Sequence, residues 1–222
     1  MGEWIRLRAA DGHELGAYRS EPSRKPQGGV VVLQEIFGVN SHIREVTDGF
    51  AAEGYLALAP ALYDRSSAKN LEMGYTPGDI ERGRALREEF SWDDSVKDVE
   101  AAMRILRGEA LRVGAVGYCW GGSISFLGAV RLPLDAAVVY YGGQILPYVN
   151  EKSRCPLLMH FGKRDASIPA SAVEAIQKAH PDAVVHQYDA DHGFNCDQRA
   201  QYDEASARLA RERTLAFFAA NL

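Results

Sequence analysis

The chain has few cysteines, little excess of either charge and no long apolar run. Cys119, Cys155 and Cys196 are its three cysteines, an odd number without paired spacing, which argues against a disulfide framework and for a reducing compartment. No C-x-x-C occurs, so the sequence contains neither a zinc knuckle nor a dithiol redox motif. The net charge of −5 gives no reason to expect nucleic acid or an anionic membrane as a partner.

The N-terminal sequence lacks the features of a targeting segment. Residues 1–8 contain no signal-peptide apolar core, and no run in the chain approaches the roughly 20 apolar residues of a membrane span. We therefore expect a cytoplasmic protein. Hydrophobic residues form 46% of the 222 residues, which is typical of a globular protein, and this length predicts one domain over 1–222. We expect a monomer or a small homo-oligomer.

The most informative motif is G-Y-C-W-G-G at residues 117–122. It has the pattern of a nucleophile elbow, G-x-S-x-G, with cysteine in place of serine. Residues 111–117 before it resemble a buried strand and residues 122–130 after it resemble a helix, so Cys119 is predicted at a helix N-terminus, where a thiolate is favoured. The alternative is a buried structural thiol beside a tight turn.

An acid and a histidine follow this cysteine in the chain order of an α/β-hydrolase triad. Asp165 comes just after the apolar strand 156–161, at the edge of the sheet where open α/β folds place their sites. His192 follows the strand-like segment 183–188. We predict that Asp165 orients His192 and that His192 acts as the base for Cys119. Asp165 as a loop or capping acid and His192 as a surface residue are the alternatives.

Strand and helix patterns alternate along the chain. This alternation predicts an α/β-hydrolase fold, a doubly wound and mostly parallel sheet with helices on both faces. Residues 61–91 are polar and glycine-punctuated, with a short helix expected near 80–90, and are the candidate for a lid. The predicted strands are 4–8, 14–19, 29–33, 55–60, 112–117, 135–141, 156–161 and 183–188, and the other predicted helices are 41–53, 95–107, 121–131, 170–180 and 199–220.

A carboxylate follows the third predicted strand, in Q-E-I-F-G-V-N at residues 34–40. In α/β-hydrolases the loop at this place and the residue after the nucleophile each supply a backbone N–H to the oxyanion hole. Ile36 and Trp120 are therefore the predicted donors.

Together these motifs resemble the dienelactone hydrolase family. The match includes Y-Y-G at 140–142, G-x-x-D at 162–165 and the late histidine, and it covers nearly the whole chain. The resemblance implies that Cys119 is the nucleophile and that Glu35 is an additional carboxylate, which holds the resting thiol and accepts its proton when substrate binds. A plain salt bridge at Glu35 is the alternative.

The substrate pocket departs from the family pattern. The family clamps a substrate carboxylate with two arginines, one in the lid and one four residues after the histidine, but the latter position is Cys196. Arg84 matches the lid arginine, and Tyr141 and Phe37 are further candidates for substrate contact. Arg82 and Arg199 are expected to be solvated surface residues. The alternative for Arg199 is that it compensates for the missing arginine, which requires the loop to fold back. The departure predicts weak activity on a dienelactone.

These observations predict a cysteine-dependent hydrolase of an activated ester or lactone. A thiolate is a good nucleophile and also a good leaving group, so it suits substrates with good leaving groups of their own. No cofactor or metal ion is expected, because the remaining histidines and acids show no ligand spacing. A thiol redox sensor, with Cys155 or Cys196 as the resolving residue, and a non-enzymatic binding protein are the alternatives.

Overall fold

An eight-stranded sheet forms the centre of the molecule. The structure is a computed structural model that describes residues 2–109 and 111–222. The strand order is β1-β2-β4-β3-β5-β6-β7-β8, in which β1 and β2 are antiparallel to their neighbours and the others run parallel. This confirms the predicted doubly wound, mostly parallel sheet. The strands are β1 (Glu3–Arg8), β2 (Glu14–Ser20), β3 (Gly29–Leu33), β4 (Leu56–Pro60), β5 (Val113–Tyr118), β6 (Ala136–Tyr140), β7 (Leu157–Gly162) and β8 (Val184–Tyr188).

Five neighbouring strands of the sheet, β4, β3, β5, β6 and β7, are buried at every position. Their apolar, often β-branched sequences suit strands that helices cover on both faces. The helices are α1 (Ser41–Ala52), α2 (Pro77–Leu86), α3 (Trp92–Gly108), α4 (Trp120–Arg131), α5 (Ala170–Ala179) and α6 (Glu204–Asn221). Because β3, β5 and β7 are parallel, the loops that follow them meet at one edge of the sheet.

Three helix boundaries differ from the sequence prediction because capping residues set them. The last helix begins at Glu204 rather than 199, where the side chain of Asp203 accepts a hydrogen bond from the Ser206 N–H at 2.9 Å. The third begins at Trp92 rather than 95, after a capping box formed by Ser91 and Asp94. The short helix expected near 80–90 is α2 at 77–86, and a 3₁₀ turn at 87–89 follows it.

The segment 61–91 packs on the loop that follows β3. The Tyr63 hydroxyl donates to the carbonyl oxygens of Ile36 at 3.1 Å and Gly83 at 2.9 Å. A Cβ at Gly83 would overlap the Ile36 carbonyl oxygen, so only glycine allows this approach of α2. The segment therefore forms one wall above the sheet edge.

None of the helices in residues 2–109 and 111–222 has the length and apolar character that a membrane crossing requires.

Candidate active site

Cys119 lies in a strained turn between β5 and α4. Its backbone has φ 54° and ψ −114°, a region that residues other than glycine rarely adopt. A Cβ at Gly117 would overlap the Gly121 carbonyl oxygen, and one at Gly121 would overlap the carbonyl oxygens of Leu33 and Gln34. The sharp turn thus requires glycine on both sides of the cysteine, which explains the spacing of the motif.

The turn leaves Cys119 half-buried, at the N-terminus of α4 and in the wall of a cavity. The backbone N–H of Trp120, the first residue of α4, has no intrahelical acceptor. Neither this N–H nor that of Ile36 donates to another group in the described part of the chain. Both are therefore available to an oxygen atom of a bound ligand.

Asp165 and His192 lie in contact, as the sequence predicted. Asp165 follows β7 and His192 follows β8, and the distance from His192 Nδ1 to Asp165 Oδ2 is 2.6 Å. The carboxylate is buried, and its other oxygen accepts from the Ser167 N–H at 2.8 Å. These bonds fix the orientation of the imidazole and leave its Nε2 for a second partner.

Charges around His192 favour its protonated form. Burial of the imidazole opposes protonation, but the electrostatic interaction with Cys119 and the hydrogen bond that the imidazole donates to Asp165 outweigh it. Together they raise the pKa of His192 to about 10. The site thus favours a protonated imidazole beside Cys119.

Glu35 forms an ion pair with Arg199, which corrects the prediction that Arg199 is a solvated surface residue. Arg199 Nη1 lies 2.8 Å from Glu35 Oε1, and only 12% of the arginine side chain and 2% of the glutamate side chain are exposed. Glu35 Oε2 is buried and has no hydrogen-bond partner among residues 2–109 and 111–222. The pair lines the same edge of the sheet as Cys119 and His192.

The chain after His192 folds back through a series of turns, and this brings Arg199 into the site. The Cys196 N–H donates to the Gly193 carbonyl, and the Arg199 N–H donates to the Cys196 carbonyl. The guanidinium then lies over the rings of Phe37, at 5.6 Å, and Tyr75, at 5.9 Å. These two aromatic residues are the feature of the sequence that could have predicted the position of Arg199, but they lie far from it along the chain.

A cavity of about 390 Å³ joins these groups. Cys119, His192 and Arg199 line it, together with the predicted residues Phe37 and Arg84. Arg87, which the sequence analysis did not single out, also contributes to the wall. Three arginines therefore surround the space beside the thiol.

Tyr141 does not line the cavity, in contrast to its predicted contact with substrate. It is fully buried, and its ring centroid lies 5.1 Å from that of His192. Its hydroxyl is buried, and no described residue forms a hydrogen bond with it. Because Tyr141 follows β6 directly, it lies underneath the imidazole and supports it.

Cys196 is also fully buried and does not line the cavity. Burial raises the pKa of its thiol to about 12. Its Sγ belongs to a group with side-chain ligand atoms of His42 and Asp197 that lie within 4.8 Å of one another. The sequence spacing does not indicate this group, because His42 is on α1 and lies far along the chain from the other two residues.

Comparisons with known proteins agree with this architecture. The model of the dienelactone hydrolase family matches residues 15–222. A carboxymethylenebutenolidase of Pseudomonas putida is 34% identical, over 99% of this chain and 97% of the relative. A crystal structure from Klebsiella pneumoniae subsp. pneumoniae, of a chain assigned to the dienelactone hydrolases, superimposes with a TM-score of 0.83 at 33% identity and covers 98% of this chain and 99% of its own.

A more distant structure shares the fold alone. It is a dienelactone hydrolase-like promiscuous phosphotriesterase from metagenomic libraries, with a TM-score of 0.80 at 19% identity over 99% of this chain and 98% of its own. The family match and the relatives above 30% identity extend over almost the full length of the protein. The chain therefore belongs to the dienelactone hydrolase family and is a hydrolase with the α/β-hydrolase fold.

Proposed function

We propose that this protein hydrolyses a carboxylate-bearing lactone or activated ester through an acyl-enzyme on Cys119. The observation that carries the proposal is geometric: Cys119 in its strained turn lines the same cavity as His192, whose Nδ1 lies 2.6 Å from Asp165 Oδ2. A cysteine thiolate attacks an ester carbon readily at neutral pH. His192 and Asp165 then provide the proton transfers.

The first half of the reaction forms the acyl-enzyme. Cys119 Sγ attacks the carbonyl carbon, and the carbonyl electrons move to the oxygen, which the N–H groups of Ile36 and Trp120 stabilise. When the intermediate collapses, the acyl carbon–oxygen bond breaks, and the leaving oxygen takes a proton from the His192 imidazolium. In a lactone the leaving oxygen stays attached to the acyl group as a new hydroxyl.

The second half releases the acid. Neutral His192 removes a proton from a water molecule that attacks the thioester carbon, again with the negative oxygen in the same hole. The carbon–sulfur bond then breaks and the thiolate returns beside the imidazolium. Asp165 stabilises the imidazolium in both halves, because it accepts from Nδ1 throughout.

The ion pair of Glu35 and Arg199 supports a substrate that carries a carboxylate. Such a substrate competes with Glu35 for the guanidinium, and bidentate pairing with arginine is among the strongest interactions available to it. Glu35 then loses its partner while it stays buried, and a buried carboxylate without a counterion has an increased affinity for a proton. In this proposal Glu35 takes the proton of any neutral Cys119 thiol, so substrate binding activates the nucleophile.

The position of Arg199 revises the prediction of weak dienelactone activity. That prediction rested on Cys196 in place of an arginine, whereas Arg199 brings a guanidinium to the cavity from three residues further along. With Arg84 and Arg87 also in its wall, the cavity has the cations that a carboxylate needs. The Pseudomonas putida relative is named for a lactone with such a group.

The test compares wild type with Cys119→Ala and the control Cys155→Ala on a carboxylated enol lactone. Burial raises the pKa of the Cys155 thiol to about 11, so this cysteine is the unreactive control. We expect Cys119→Ala to lower kcat by about 10⁴-fold or more, and mass spectrometry of wild type to detect an acyl adduct on Cys119. Full activity of Cys119→Ala would refute the proposal. Absence of turnover in wild type, with a peroxide-induced disulfide between Cys119 and Cys155 or Cys196, would support the redox sensor instead.

A further inference from the structure

A second cavity of about 330 Å³ opens beside the main one. Arg87 and Gln144 line both spaces, so the two cavities meet between these side chains. A substrate larger than a simple lactone can therefore extend from the thiol of Cys119 past Arg87 and Gln144. The volume of the second cavity is at the lower end of the range for small-molecule sites.

Aromatic residues form the walls of this second cavity. Phe90, Trp92 and Trp120 line it, and the remaining lining residues are polar: Arg87, Glu88, Ser91, Ser95 and Gln144. The ring of Trp120 is itself fixed, since it stacks on Tyr63 with a centroid distance of 5.4 Å and an interplanar angle of 17°. Phe90 packs on the same indole at 5.7 Å. Such preformed aromatic walls suit a flat, apolar group.

Hydrogen-bond donors stand where the cavities meet. Gln144 Oε1 accepts from the Ser123 hydroxyl at 3.2 Å, and Ser123 Oγ accepts from the Gln144 backbone N–H at 3.0 Å. The Gln144 Nε2 group has no acceptor in the described parts of the chain. The Arg87 guanidinium, which pairs only through Nε with the exposed Glu88, adds further donors.

From this arrangement we infer that the second cavity binds the aromatic alcohol half of an ester, so that the enzyme also cleaves aryl esters. The inference rests on the proposed function, because the acyl half must reach Cys119. A thiolate nucleophile requires a good leaving group, and a phenol, with a pKa near 10, leaves far more readily than an alkyl alcohol. The acyl carbon–oxygen bond breaks, and the phenolate takes the His192 proton, so the chemical step is unchanged.

The experiment enlarges one side chain that lines the second cavity, so that it occupies part of the space. Ser95 is buried in the first turn of α3, and Ser95→Leu places three additional carbon atoms in the space. The matched control is Ser171→Leu, an exposed serine in the first turn of α5 that lines neither cavity. The measured quantity is the ratio of kcat/KM for phenyl acetate to kcat/KM for a small enol lactone.

We expect Ser95→Leu to lower this ratio about tenfold, because the ring loses most of its apolar contact, and Ser171→Leu to retain it. Phe90→Ala, which removes one wall, should lower the ratio in the same direction, and thermal unfolding checks that each variant is folded. If the ratio is unchanged in Ser95→Leu and in Phe90→Ala while lactone hydrolysis is normal, this inference is overturned and the proposed function stays intact. Absence of lactone hydrolysis in wild type would instead refute the proposed function.

A second pair of substrates tests which half of the ester enters the cavity. Trifluoroethyl phenylacetate carries its ring in the acyl half, and phenyl acetate carries it in the alcohol half. Ser95→Leu should reduce kcat/KM for phenyl acetate more strongly. A larger effect on trifluoroethyl phenylacetate would overturn the assignment to the alcohol half.

Discussion

The candidate site has two parts that are built in different ways. The reactive part, Cys119 with Asp165 and His192, stands directly at the ends of β5, β7 and β8. The recognition part consists of arginines on segments that reach the cavity from outside the sheet, Arg84 and Arg87 from α2 and its following turn and Arg199 from the loop before α6.

The two parts also differ in what holds them. Backbone contacts fix Cys119, since glycines at 117 and 121 touch neighbouring carbonyl groups. Side-chain contacts hold Arg199, which depends on Glu35 and on the rings of Phe37 and Tyr75. The reactive part is thus a property of the fold, whereas the recognition part can change with single substitutions and leave the fold intact.

The largest effect should follow from a change in the reactive part. Asp165→Asn should lower kcat by about 10²–10⁴-fold with little change in KM, because an amide no longer stabilises the imidazolium or fixes its tautomer. Asp191→Asn is the matched control, since Asp191 also lines the cavity, but its side chain is 50% exposed and its contact with Arg164 is long, at 3.9 Å. Steady-state kinetics of both variants provide the measurement. An increase in KM with an unchanged kcat would place Asp165 in substrate binding instead.

Within the recognition part, Arg199 and Arg84 should differ in their effect on stability. Arg199→Ala leaves Glu35 buried without a counterion and should lower the free energy of unfolding by about 3–5 kcal/mol. Arg84→Ala should have no measurable effect on unfolding, because Arg84 is exposed. Denaturant unfolding of both variants measures the difference. Equal stabilities would mean that the ion pair does not hold the loop.

A smaller effect concerns the coupling of Cys119 and His192. In wild type His192 should keep its proton through neutral pH and release it near pH 10, and in Cys119→Ala it should release it at lower pH because the thiolate charge is absent. Because the folded pKa exceeds the ordinary value of about 6.5, this coupling stabilises the fold below that pH, and the contribution is lost as the pH rises toward 10. NMR titration of the imidazole measures both values. Identical titrations would show that the thiol and the imidazole are not coupled.

How far the sequence predicts the site depends on this same division. Cys119, Asp165 and His192 each lie a few residues after an apolar strand, so the local pattern and the parallel sheet are enough to bring them to one edge. The prediction that Arg199 lies at the surface was wrong. Its position depends on turns after His192 and on rings from two other segments, and no local sequence pattern indicates these contacts. The predicted helix 199–220 begins too early and therefore covers these turns. The cap at Asp203 shows that the helix starts at Glu204, after the turns.

The contact between Gly83 and the Ile36 carbonyl, together with the bonds of Tyr63 to both residues, constrains how this enzyme can diverge. A side chain at position 83 would push α2 away and turn the peptide groups next to the Ile36 N–H. The α2 segment can therefore acquire new specificities through its exposed positions 81, 82, 84 and 85. In the proposed mechanism, in which the Ile36 N–H stabilises the negative oxygen, substitution at position 83 would by contrast alter the rate of reaction for every substrate.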